Sequence, residues 1–357
     1  MKIVIKVGSQ SLLLPSGELR AGVIDNLIQQ ISKLQQAGHQ VLLVSSGAVA
    51  LGRSCALQIT QHSYGSSVAD KQLLAALGQP RLMALYAESS AKQGIAAAQL
   101  LLTKYDFKSK RSYTNILRLL QKSLAQSKVL TIINENDSVA VDELMFTDND
   151  ELAGIIAAQI GADKLLLLTS TNGVYDRHPQ EAGAQLLEEI KLSDPLPIVS
   201  ADKTALGRGG MSSKLHTARK CAVVGVMTHI AALDVPNIIE RLVNDEPHLG
   251  TRVMPNHKKS ARKKFLAFGL TETVARVSIN NCLSTKLKQA DQSISILAIG
   301  ISEIHGEFSK GDLVELCTAD GLKVGIGVAR YNSHKLAEYL GQKNQPPFIH
   351  YDYLHIF

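Results

Sequence analysis

Four short runs of almost unbroken apolar residues recur in the first half of the chain, and each stops at a small or polar cluster. Residues 2–7 run into Gly8-Ser9, 41–44 into Ser45-Ser46-Gly47, 129–133 into Asn134-Glu135-Asn136-Asp137, and 165–168 into Thr169. A strand with one wet face alternates apolar and polar residues, whereas a continuous apolar run is buried on both faces. Between the first two runs, Ile24, Leu27, Ile28, Ile31 and Leu34 recur at helical spacing, with Gly38 placed to end the helix. Buried strands separated by helices build a parallel sheet covered on both sides. Such a sheet takes its ligand at the carboxyl ends of its strands, where the polar clusters fall. The expected fold is α/β, a mainly parallel sheet sandwiched by helices.

Past Gly269 the pattern changes. Runs at 294–299, 312–316 and 323–328 are β-rich and punctuated by Gly300, Gly306, Gly311, Gly321, Gly325 and Gly327, with no long periodic helix between them. A small, mostly β, barrel-like domain is expected there. The resulting division is a domain at 1–255, a basic linker at 256–268 and a second domain at 269–357. The linker carries Lys258, Lys259, Arg262, Lys263 and Lys264, which accounts for most of the formal net charge of +6. From Phe265 onward eight Lys/Arg face nine Asp/Glu. A charge run of this kind reads first as a solvated connection and second as a nucleic-acid contact.

Several function classes fit poorly. No apolar run reaches the ~18 residues that span a bilayer, so no membrane association is expected. The opening residues carry a charge within their apolar stretch and no small-residue cleavage site. Cys55, Cys221, Cys282 and Cys317 form no CxxC pair, which disfavours a disulfide framework and a zinc site and points to a cytoplasmic protein. Neither GxxxxGK[ST] nor a strand-linked GxGxxG is present, and there is no HRD or DFG element. No histidine pair has metal-ligand spacing, so no protein-held metal is expected.

Four clusters carry the chemistry. Lys6 stands near the end of an apolar strand just ahead of Gly8-Ser9, and a lysine there is either paired or serves a site. Ser45-Ser46-Gly47-Ala48 joins a strand to a helix and suits either an ordinary cap or an anion. Thr147-Asp148-Asn149-Asp150 opens an apolar helix, where its acids fit capping or the positioning of cations. Gly207-Arg208-Gly209-Gly210-Met211-Ser212-Ser213-Lys214 is a glycine-rich loop opening a helix. Lys214 in the first turn opposes the helix dipole, so helix stability does not favour it there, whereas a bound phosphate would.

Together and in this order, IKVGSQ, VSSGAVALGR, DKQLLAALGQPRL, INENDSVAVDE, TDNDELAGIIAAQIGADKLLLLT, NGVYDRHP and GRGGMSSKLHTA resemble the glutamate 5-kinases of the amino-acid-kinase family. GISEIHGEFSKGDLVEL and GVARYNS resemble the PUA domain that bacterial members often carry. The resemblance spans nearly the whole chain. It implies transfer of the γ-phosphoryl of ATP to the side-chain carboxylate of glutamate, the first step of proline biosynthesis, with proline as feedback inhibitor. It implies catalytic roles for Lys6, Asp150 and Lys214, with Asp150 between the lysines. Glutamate binding falls to Ser46, Asp137 and Asn149. The ATP site would comprise Lys6, Gly8, Thr169, Ser170, Gly207, Arg208, Gly209, Gly210, Met211, Ser212, Ser213 and Lys214. Mg2+ would arrive with ATP, and a homo-oligomer (dimer or tetramer) and coupling to the reductase that consumes glutamyl 5-phosphate are expected.

The chain departs from the family pattern at Ser170, where an acid is usual, and at His178, where Asp precedes the proline. Ser213 replaces Thr, Phe265 replaces the linker Trp, and Ile279–Leu283 replaces a Gly-Ala pattern. The first two bear on nucleotide affinity, the last on RNA. Nucleic-acid binding is therefore not expected of the tail. Rival readings are a kinase for acetylglutamate, aspartate, uridylate or carbamate, and an RNA-binding PUA protein with a degenerate kinase domain.

Overall fold

The computed structural model describes residues 1–14, 16–107, 110–140, 146, 148–194, 210–255, 273–289 and 294–356, in two compact units, Met1–Lys258 and Lys259–Phe357. The first unit opens with β1 (Lys2–Val7), whose Ile3, Val4, Ile5 and Val7 are fully out of solvent. Each such side chain contributes about 1.5–3 kcal/mol by leaving water. A single turn, α1 (Ser9–Leu12), leads to α2 (Val23–Gln36), which buries Ile24, Leu27, Ile28, Ile31 and Leu34 on one stripe. Gly38 closes that helix at φ +82, where His39 N–H bonds back to the Leu34 carbonyl at 3.0 Å.

The chain then builds β2 (Gln40–Ser45), α3 (Ala48–Thr60), α4 (Val68–Lys92), β3 (Ala96–Leu102), α5 (Lys110–Leu124), β4 (Val129–Glu135), α6 (Asn149–Ile160) and β5 (Lys164–Thr169). After these come β6 (Glu189–Ile190), α7 (Met211–Val223), β7 (Met227–Ala232), α8 (Ile238–Val243) and β8 (Thr251–Val253). The eight strands form one sheet in the order β3-β4-β2-β1-β5-β7-β8-β6. Pairing is parallel from β3 through β7, and β8 turns antiparallel to β7. β1 is central. Lys6 lies opposite Val44 and Leu167, and Val7 opposite Ser45 and Leu168, so the ends of three strands come level at one edge.

One helix contact fixes what stands over that edge. A Cβ on Gly52 of α3 would lie 1.8 Å from the Leu74 carbonyl, and one on Gly78 of α4 would lie 1.8 Å from the Ala48 carbonyl. The two helices therefore cross backbone on backbone.

The second unit holds β9 (Ala275–Ile279), α9 (Asn281–Gln289), β10 (Ile301–His305), β11 (Leu313–Cys317), β12 (Lys323–Val328), α10 (Ser333–Tyr339) and β13 (Leu354–Ile356). Its five strands run in the order β10-β9-β11-β12-β13, with only β9 and β11 parallel. Val277, Ile279, Val314, Leu316, Phe348 and Ile349 make its own core. The strand expected at 294–299 is instead one isolated bridge, Ile296 to Ile349, followed by a tight turn at Ala298–Gly300. The inward-outward alternation is present, with Ile296 and Ala298 buried and Leu297 and Ile299 exposed, but the turn ends the ladder.

Candidate active site

The end of β1 delivers Lys6 into a low-dielectric position, only 4% exposed. An ammonium there needs a counter-charge. It finds one on α6, where Lys6 Nζ lies 2.7 Å from Asp150 Oδ1. Lys214, on the first turn of α7, donates from Nζ to Asp150 Oδ2 at 2.9 Å. Asp150 is completely buried between the two lysines. Burial alone would raise its pKa, but Lys6 and Lys214 together hold it below the usual carboxylate range. Burial pushes the Lys6 ammonium below its ordinary value, Asp150 opposes that, and Lys214 adds to it.

Helix α6 is set in place by Asp148, whose Oδ1 accepts from the backbone N–H groups of Asp150 at 2.9 Å and Glu151 at 3.0 Å. Its carboxyl is pushed upward, first by burial and then by Asp150. One carboxylate thus stands between two ammoniums, with the Asp148 carboxyl close by.

A second group gathers on the other side of Lys6. Asn149 donates from Nδ2 to Ser46 Oγ and to Asn134 Oδ1, both at 3.0 Å. The Glu135 N–H donates to Asn134 Oδ1 at 2.9 Å and to Asn149 Oδ1 at 3.3 Å. Glu135 Oε1 in turn accepts from Phe146 N–H at 2.8 Å, tying the approach to α6 onto the end of β4.

Both groups face one cleft of about 760 Å3 at the carboxyl ends of the parallel strands. Of the residues singled out in the sequence, Lys6, Gly8, Ser46, Asp137, Asn149, Thr169, Ser170, Gly210, Met211 and Lys214 line it. Asp150 lies beneath it. Ser212 and Ser213 stand in the first turn of α7 without lining it, with Ser213 bonded to the Asp148 carboxyl. Gly207, Arg208, Gly209, Thr147 and the stretch 256–268 lie outside the described residues. Asn134, Asp148, Tyr175, Arg177 and His178 also line the cleft; Asn134 and Asp148 were signalled by their strand-end and cap clusters and His178 by its departure from the family pattern, while Tyr175 and Arg177 stood only within the motif NGVYDRHP.

Among the described residues no group of three or more His, Cys, Asp and Glu gathers as a metal cage. Among the described residues no cysteine is in a disulfide. No described helix is long and apolar enough to cross a membrane.

The chain matches the model of the amino acid kinase family over residues 1–232 and that of the PUA domain over 276–345. A glutamate 5-kinase of Chlorobaculum tepidum is 36% identical over 360 residues, covering 99% of this chain and 97% of that protein. A glutamate 5-kinase of Bacteroides thetaiotaomicron is 37% identical over 358 residues, covering 99% and 98%. Among solved structures, the T. acidophilum isopentenyl phosphate kinase product complex shares the fold with a TM-score of 0.50 at 14% identity, over 71% of this chain and all of that one. On these matches the chain belongs to the amino-acid-kinase family, with a C-terminal PUA domain and the glutamate 5-kinases as its full-length relatives.

Proposed function

We propose that the cleft phosphorylates the side-chain carboxylate of L-glutamate with ATP, giving L-glutamyl 5-phosphate, the first step of proline biosynthesis. The observation that carries this reading is the Lys6–Asp150–Lys214 bridge at the floor of the cleft. Both reactants are anions, so catalysis is mostly positioning and charge neutralisation. A glutamate carboxylate oxygen attacks the γ-phosphorus, the bond to the β–γ bridging oxygen breaks, and ADP leaves. The two lysine ammoniums stabilise the charge on the moving phosphoryl, while Asp150 keeps them apart and aimed. Removing one such preorganised donor costs about 10²–10³ in kcat.

Ser46, Asn149 and Asp137 hold glutamate, Asp137 through the substrate ammonium and Ser46 through a carboxylate. Gly8, Thr169, Ser170 and the loop leading into α7 hold the nucleotide. Kinases of this family take ATP with a divalent metal. Mg2+ would arrive on the nucleotide phosphates, with Asp148, which lines the cleft, as an acid within its reach. The ion would offset the negative charge of the phosphates.

In the same reading the unit at 1–255 is catalytic, 256–268 is a basic linker and 269–357 is the PUA domain. The enzyme is cytoplasmic, assembles as a homo-oligomer, is inhibited by proline at the glutamate site and feeds the reductase that uses its acyl phosphate. Trapping the product with hydroxylamine tests the reaction. Protein with ATP, Mg2+ and glutamate should yield γ-glutamyl hydroxamate, and aspartate should not. Lys6→Ala and Lys214→Ala should lose turnover with circular dichroism unchanged; normal turnover in both would remove the phosphoryl site from this cleft.

A further inference from the structure

Behind the cleft, a chain of buried amides runs to α4, a helix that the proposed chemistry does not otherwise use. We propose that Gln79 is a positioning residue for the substrate site, its side-chain carbonyl fixing Asn134, then Asn149, and so leaving the Ser46 proton for the substrate. The inference rests on the reading that Ser46 and Asn149 hold glutamate.

The direction of every bond in this chain is set by one backbone group. The Glu135 N–H is only a donor, and it points at Asn134 Oδ1 (2.9 Å) and Asn149 Oδ1 (3.3 Å), so both of these atoms are oxygens. The Asn134 amino group must therefore face the other way. It does so onto Gln79 Oε1 at 2.9 Å. The Asn149 amino group donates at 3.0 Å to both Asn134 Oδ1 and Ser46 Oγ. Ser46 thus receives a hydrogen bond from Asn149, and its own proton is given elsewhere. Ser46 lines the cleft, where a carboxylate would accept that proton.

Gln79 is 7% exposed and Asn134 1%, so water does not easily replace either partner. Without the Gln79 acceptor, the Asn134 amino group is buried and unpaired. Rotating its amide would set donor against donor at Glu135 N–H and at the Asn149 amino group. The helix that carries Gln79 cannot drift to compensate, because the neighbouring Gly78 packs its backbone on α3. Tyr86, seven residues on and so two turns along the same face, meets Ser45 Oγ at 2.8 Å. One helix face thereby supports both residues at the end of β2.

Steady-state kinetics of the full-length protein test the relay. Gln79→Met keeps the bulk and removes the acceptor. It should raise KM for glutamate about tenfold, the worth of one net hydrogen bond, with kcat and KM for ATP near wild type. Gln79→Glu, whose carboxylate oxygen accepts the same bond, should restore most of the loss. Ser46→Ala should raise the glutamate KM by itself, and Gln79→Met should add little to it, because the relay ends at Ser46. If Gln79→Met does not accumulate folded, Gln79→Asn, which withdraws the amide by one methylene, takes its place with the same expectation. A normal glutamate KM in the Gln79 variant beside a raised one in Ser46→Ala overturns the relay and leaves the site reading intact. A matched fall in activity toward both substrates, not rescued by Gln79→Glu, also overturns it, since that is a purely structural loss. A normal KM in Ser46→Ala removes the site reading, and the relay with it.

Discussion

Replacing Asp150 with Asn keeps the shape of the floor of the cleft and deletes one charge. In the native chain that carboxylate is fully buried and meets Lys6 at 2.7 Å and Lys214 at 2.9 Å, with both lysines almost as deeply buried. The variant therefore strands two ammoniums about one neutral amide, whose own NH2 adds a further donor facing cations. Breaking a buried ion pair by removing one partner costs about 3–5 kcal/mol. For a unit of this size, each kcal/mol moves Tm by roughly 2–4 °C, so Asp150→Asn should melt roughly 6–20 °C below wild type. The phosphates of a nucleotide supply the missing negative charge. Added MgATP should accordingly raise the variant's Tm by more than it raises the wild-type value. Turnover should still fall by about 10²–10³, because the lysines are no longer held apart and aimed. Differential scanning calorimetry with and without nucleotide, followed by initial rates, checks all three. A variant that melts within ~3 °C of wild type would show that Asp150 is not the counter-charge that holds the two buried lysines, and the account of this bridge would fail.

Other outcomes follow from the same structure. Gly52→Ala sets a methyl 1.8 Å from the Leu74 carbonyl, and overpacking of this kind costs about 1–3 kcal/mol. A lowered melting temperature and a raised glutamate KM are expected; an unchanged melt would contradict the backbone contact between α3 and α4. His229, buried on β7, has its pKa pushed down to about 4 by burial, with Lys164 adding to the effect and Asp245 opposing it. The folded state keeps it neutral while the unfolded chain takes a proton below about 6.5. Its contribution is therefore complete above pH 6.5 and is lost as pH falls toward 4, at most about 3 kcal/mol. His229→Gln should flatten the stability profile in that window in urea titrations, and an identical slope in the variant would refute the assignment.

How much of this was legible in the sequence differs by element. β1, β2, β4 and β5 were readable because only Lys6 in β1 and Thr131 in β4 interrupt their apolar runs. β7 was not, since Thr228 and His229 break the run. Both are nevertheless buried, with His229 Nε2 3.4 Å from Asp245 Oδ1, and tertiary context decides such a strand. β3 begins Ala96-Ala97-Ala98, a composition that favours helix, and only its seven-residue pairing with β4 makes it a strand. In the site, Lys6 was conspicuous as a charge in an apolar strand and Lys214 as one opposing a helix dipole, while Asp150 read locally as a capping acid and only the resemblance set it between them; local propensity says nothing about their meeting across 64 or 144 positions. Gln79 was invisible for another reason. A glutamine within a helix is unremarkable until the fold shows what its amide faces.

The crossing of α3 and α4 has a mechanical consequence. Helices separated by side chains can slide as rotamers change, whereas here Gly52 and Gly78 press main chain against main chain with no such layer to yield. The pair behaves as one stiff strut, rooted at Gly47 and carrying Gln79. Beyond the crossing, Arg53 of α3 holds the connection to α4 through the carbonyls of Tyr64 and Gly65. A wall built this way sets the orientation of whatever binds against it instead of adapting to it.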